Sequence, residues 1–126
     1  FGLPIRTDER LREREAAPGG NVRELFRKRW ADFDWHEPGG ESLRSVQERN
    51  IAALTDILTA ERDRTVVIGT HGTALSTILN YYDPSWNCDS FLRVIDWMPF
   101  VVELDFEGTR YLSRTERVHV EKIFKQ

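Results

Sequence analysis

Leu43, Val46, Asn50, Ala53, Leu54, Ile57 and Leu58 recur at intervals of three and four. That spacing predicts an amphipathic helix over 41–61 that buries one face against a sheet. Asn50 is the only polar residue on that face, while Arg44, Glu48 and Arg49 lie mostly elsewhere, and Ser42, or Glu41 beside it, is the expected cap. Upstream, Val22, Leu25, Phe26, Trp30 and Phe33 also repeat at helical spacing. Asn21 followed by Glu24 fits a capping box, and Pro38-Gly39-Gly40 ends that second helix. Residues 1–20 carry no such period: from Thr7 to Glu15 Leu11 is the one large apolar side chain, and Ala17-Pro18-Gly19-Gly20 breaks the chain.

Beyond the long helix the pattern changes. Thr65-Val66-Val67-Ile68-Gly69 is a β-branched apolar run, expected as a strand buried on both faces. Thr70-His71-Gly72-Thr73 reads as a tight turn and residues 74–81 as a helix, with loop over 83–90. Residues 100–106 alternate, Glu107-Gly108 interrupts them, and the pattern resumes at Arg110, which predicts a β-hairpin. Helix, buried strand, turn and helix in succession predict an α/β domain. A single domain spanning 1–126 is expected, since 126 residues suffice for one core.

Composition narrows the function classes. Hydrophobic residues are 40% and charged residues 31% of the chain, as in a globular rather than a disordered protein. Eighteen Lys and Arg stand against twenty-one Asp and Glu, a net charge of −3 that favours no nucleic-acid partner. No apolar run approaches the roughly 18–20 residues of a membrane span, and no signal pattern opens the chain, so a cytoplasmic setting is expected. Cys88 has no second cysteine to pair with and is expected as a buried or incidental thiol. The chain opens on Phe-Gly-Leu-Pro-Ile rather than Met, like a loop running off an earlier element, and is expected to be a piece of a longer one.

His71 carries the most chemistry. It stands where the predicted strand gives way to a helix, the edge at which open α/β sheets bind ligands. Gly72 lets backbone approach a ligand, and the N–H groups of 72–75 with the helix dipole suit an anion. A histidine there either steadies a phosphoryl oxygen, or merely caps the helix or sits half-buried. Glu13, among Asp8, Glu9 and three arginines, is either a proton donor beside such a site or part of a solvated charged face. His36 reads as surface loop. His36, His71 and His119 lack the spacing that builds metal sites, so no metal is expected. Trp30, Trp35, Trp86 and Trp97 are expected in core and lid packing.

Val66-Val67-Ile68-Gly69-Thr70-His71-Gly72-Thr73 resembles the second histidine motif of the histidine phosphatase superfamily, also called phosphoglycerate-mutase-like. Asp8-x-x-Leu11-x-Glu13-Arg14 is similar to its leucine-x-glutamate block, and Pro38-Gly39-Gly40-Glu41-Ser42 to its Gly-Glu-Ser helix start. The three blocks occur in the family's order. The resemblance implies a three-layer sandwich with a mostly parallel central sheet flanked by helices, incomplete at its amino-terminal end. It implies that His71, Gly72 and Thr73 hold phosphate and that Glu13 is the acid. It also implies a nucleophilic histidine in an Arg-His-Gly motif, which occurs nowhere in this sequence, nor does the family's Ser-Pro-Leu-x-Arg-Ala block. After Glu13 the family's aromatic-Glu-Gly step is replaced by Ala16-Ala17-Pro18-Gly19.

The expected function is therefore a phosphatase acting through a phosphohistidine whose histidine lies upstream of Phe1. A small phosphorylated substrate or inorganic phosphate is the expected ligand, with no cofactor, and the 126-residue chain alone is expected to be inactive. The alternative is a non-catalytic phospho-ligand-binding or assembly module of the same fold. An incomplete sheet would expose apolar edges, so a homodimer or pairing with the missing segment is expected. Specificity would reside in the loops at 21–37 and 82–99.

Overall fold

The computed structural model describes residues 5–18 and 23–121. In chain order, a 3₁₀ turn (Glu9–Leu11) is followed by another (Arg23–Leu25) leading into α1 (Phe26–Ala31). Then come α2 (Leu43–Ala60), α3 (Gly72–Tyr82), α4 (Cys88–Val94), β1 (Trp97–Glu107) and β2 (Arg110–Glu121). The proposed cap at Asn21 and the apolar position Val22 lie outside the described residues.

The long helix forms where its period places it. Ser42 caps α2 by accepting the Ser45 N–H, and Leu43, Val46, Gln47, Asn50, Ala53 and Leu54 are buried along one face. Gln47 fastens that face to α3, donating to the Thr77 carbonyl at 2.9 Å and to Asn80 Oδ1 at 3.1 Å. Buried amides need such partners, so the polar contact adds register to a largely apolar seam. Leu79, Trp86 and Val94 form a core cluster between α3 and α4, with Trp30, Leu75, Trp97, Phe100, Val102 and Leu104 packed on it. α1 stops at Ala31, so Phe33 packs from a turn, its ring edge-on to Trp30.

α4 replaces part of the loop expected over 83–90. Its seven residues are started by a reciprocal capping box, Asn87 with Ser90, and Phe91 and Val94 are buried beneath it. The hairpin stands as expected: β1 and β2 pair antiparallel, Val102 opposite Glu116 and Leu104 opposite Arg114. Gly108 supplies the turn with φ +62°, a backbone conformation that side-chain-bearing residues rarely adopt. Phe100, Val102, Leu104 and Phe106 turn inward, while Val101, Glu103 and Asp105 face outward.

The expected three-layer sandwich with a mostly parallel sheet does not form. Among the described residues the sheet is two-stranded and antiparallel, joined to helices in a smaller α/β arrangement. Residues 65–70 run without regular secondary structure instead of forming the predicted strand, and Val67 is 94% exposed. The reason is non-local. A parallel strand is held by a ladder from neighbours delivered through crossover connections, and no described strand lies beside 65–70. β1 and β2 need only a two-residue turn to find each other. Among the described residues no helix is long and apolar enough to cross a membrane.

Candidate functional site

α3 begins one residue after His71, which occupies the N-cap position with extended backbone (φ −125°, ψ 163°). Its carbonyl accepts the first helical hydrogen bond, from Leu75 N–H at 2.8 Å, while its imidazole makes no capping bond and is exposed. The capping reading of His71 thus holds for its backbone but not for its ring. A side chain built at Gly72 would meet nothing within 4 Å, so the space above this turn is open.

The N–H groups at the start of α3 hold a carboxylate. Glu13 Oε2 accepts from Thr73 N–H at 3.1 Å, and Glu13 Oε1 accepts from Ala74 N–H at 2.9 Å. Two donors from consecutive residues, at the positive end of the helix dipole, grip both oxygens of one anion. Glu13 and His71, 58 positions apart in sequence, thereby meet at one helix end. Glu13 is half-buried there rather than on a solvated face.

The segment that carries Glu13 is irregular, and it is held by α2. Arg49 donates from Nη1 to the Arg10 and Arg12 carbonyls at 2.8 and 2.6 Å, and from Nη2 to the Glu13 carbonyl at 3.0 Å. Its remaining donors go to both oxygens of Glu41 at 2.9 Å. Glu41 in turn accepts the Glu15 N–H at 3.1 Å, and its own N–H donates to the Glu15 carbonyl at 2.9 Å. Burial works against the Glu41 charge, but the hydrogen bonds from Arg49, Glu15 and Ser45 overcome it and hold the carboxyl at about 2.

A second ionic group lines a small cavity together with Thr73. Arg14 and Arg29, with side chains 2% and 3% exposed, both pair with Glu37. Arg14 Nη2 meets one carboxylate oxygen, and Arg29 Nε and Nη2 meet the other at 3.2 and 3.1 Å. Burial again opposes the Glu37 charge, and the arginine hydrogen bonds again prevail, holding it at about 2. Gly40 makes room for this group, because a Cβ there would collide with the Glu37 carboxylate and come 2.9 Å from Arg14 Nη2. That water-sized cavity, about 10 Å³, is lined by Arg14, Arg29, Trp30, Thr73 and Phe91.

Sequence reasoning singled out His71, Glu13, Gly72 and Thr73, which the fold brings to one place. It missed Arg14, Arg29, Glu37, Glu41 and Arg49. The adjacency of Arg14 to Glu13 and of Glu41 to the Ser42 cap were the signals within reach. The other histidines lie elsewhere: His36 Nδ1 bonds the Glu37 carbonyl at 2.9 Å, and His119 stacks on Trp97 with centroids 3.7 Å apart. Cys88 is buried, and burial pushes its thiol upward. Among the described residues no group of three or more His, Cys, Asp or Glu is placed to hold a metal ion.

Nothing among the curated proteins or the solved structures matches the chain. A family description does, over residues 1–93, which include Glu13, the Gly-Glu-Ser helix start and His71. With that span covering most of its length, the chain belongs to the histidine phosphatase superfamily (branch 1).

Proposed function

We propose that this chain serves a phosphoric-ester hydrolase of the phosphohistidine type, in which the amino end of α3 holds the phosphoryl group. The observation that carries this reading is the Glu13 carboxylate on the Thr73 and Ala74 N–H groups, an oxyanion seated in a backbone cradle next to an exposed histidine. Phosphoryl oxygens suit the same donors. His71 adds a ring donor, and the open space over Gly72 admits the ester.

In the proposed reaction a histidine nitrogen attacks phosphorus in line, and the P–O bond to the leaving group breaks as Glu13 gives that oxygen a proton. Water then attacks the phosphohistidine, returning a proton to Glu13 and releasing inorganic phosphate. The entering phosphoryl group takes over the N–H groups that Glu13 holds. The attacking histidine is proposed to come from a segment upstream of Phe1. Charge on the transferred group is carried by His71 and backbone N–H groups, so the scheme calls on no cofactor. Hydrolysis is preferred to mutase chemistry because no additional substrate-locking segment is recognisable in the sequence.

His71 tests the reading cleanly, since its ring is exposed and caps nothing. In the protein carrying its upstream segment, His71→Ala lowers turnover of p-nitrophenyl phosphate by about 100-fold or more, with the circular dichroism spectrum unchanged. Turnover at the unsubstituted rate removes His71 from the mechanism. Residues 1–126 alone turn over nothing; hydrolysis by a pure sample overturns the upstream nucleophile. If the longer protein binds phosphate without hydrolysing the ester, the non-catalytic module is the correct reading.

A further inference from the structure

We infer that Arg49 is a positioning residue that acts through Glu13 on the amino end of α3, an assignment that rests on the proposed site for its catalytic meaning. All five N–H donors of its guanidinium are engaged: three on the carbonyls of Arg10, Arg12 and Glu13 and two on the Glu41 carboxylate. Its side chain is 12% exposed and that of Glu41 10%, so these bonds are made largely out of water's competition. The segment they hold has one 3₁₀ turn and otherwise no backbone ladder of its own. Its shape therefore depends on the planar fork from α2. Glu41 closes the arrangement from the other side through the Glu15 N–H and carbonyl.

Arg49 makes none of the hydrogen bonds recorded at the start of α3. What it fixes is the backbone from which the Glu13 side chain reaches Thr73 and Ala74. Arg10, on the same segment, pairs with Asp56 of α2 at 2.8 Å, but both side chains are substantially exposed, and such pairs contribute little. The half-buried fork is the stronger constraint. A lysine cannot replace it, since three ammonium donors on one atom cannot span three carbonyls and both oxygens of a carboxylate.

Amide hydrogen exchange tests the inference without depending on turnover. In the full protein, Arg49→Ala accelerates exchange at Thr73 and Ala74 by about tenfold while Leu79, in the middle of the same helix, is unchanged. Glu13→Ala gives the same acceleration, the double variant adds nothing further, and Arg49→Lys falls between. A merely structural role would instead accelerate exchange throughout α2 and α3. Unchanged exchange at Thr73 and Ala74 in both Arg49 variants, or effects that multiply in the double variant, overturns the inference. With p-nitrophenyl phosphate, Arg49→Lys lowers kcat about tenfold and leaves KM within about twofold, because it displaces the acid more than the cradle. Absence of turnover in the unsubstituted protein would refute the proposed reaction and leave the exchange result standing.

Discussion

Glu13 Oε2 accepts the Thr73 N–H at 3.1 Å, joining a loop near the start of the chain to a helix sixty residues later. The bond places a side-chain anion where the proposed ligand would sit, so the two compete. Glu13→Gln keeps the shape but removes the charge. Orthophosphate therefore binds the Gln variant more tightly, by about five- to tenfold, as read by ³¹P line broadening or calorimetry. Equal affinities would mean that phosphate does not use these N–H groups.

Gly40 answers a different constraint. Its missing side chain is what lets Glu37 sit between Arg14 and Arg29. In Gly40→Ala the methyl group displaces a carboxylate that two buried guanidiniums require. A loss of about 2 kcal/mol is expected in urea unfolding, within the usual range for overpacking at a tight site. Gly69→Ala is the control, since a Cβ there meets nothing within 4 Å.

The contrast between these residues shows what a linear reading can reach. α2 was legible because its burial repeats every three or four residues and its cap lies one residue ahead. His71 and Glu13 were legible because their motifs fall in a family's order. The Arg14–Glu37–Arg29 group was not, because its members stand 23 and 8 positions apart among other charges that face water. Nothing local separates a buried arginine from a solvated one. α4 was missed for want of length, although Asn87 and Ser90 spelled its cap. The strand expected at 65–69 failed for the opposite reason, since β-branched residues express a preference that only a neighbouring strand can satisfy.

Acid should loosen the site from its ionic side. Glu37 and Glu41 are both held down at about 2 from an ordinary 4.5. A carboxyl whose folded value is depressed contributes its full stability above the unfolded value and loses it as pH falls toward the folded one. The urea midpoint is therefore level above about pH 4.5 and declines steadily between about 4.5 and 2. Glu41→Gln lowers the plateau and flattens the decline. A midpoint unchanged from pH 5 to 2.5 would show that neither pair stabilises the fold.

Val67 offers a direct check on the segment that leads into His71. At 94% exposure its side chain buries almost nothing, whereas in a strand covered on both faces it would be core. The two placements differ in what a charge would cost. Burying an unpaired ammonium destabilises by several kcal/mol, while an exposed substitution away from caps and ion pairs stays within about 0.5 kcal/mol. Val67→Lys in residues 1–126 is therefore expected to leave the thermal midpoint within about 3 °C of the unsubstituted chain. Leu79→Ala, in the core at 2% exposure, sets the scale with a loss of about 3 kcal/mol. A comparable loss from Val67→Lys would mean that residues 65–70 are covered in solution, by a second copy of the chain if the loss grows with protein concentration, and the fold would need to be redrawn around a buried strand.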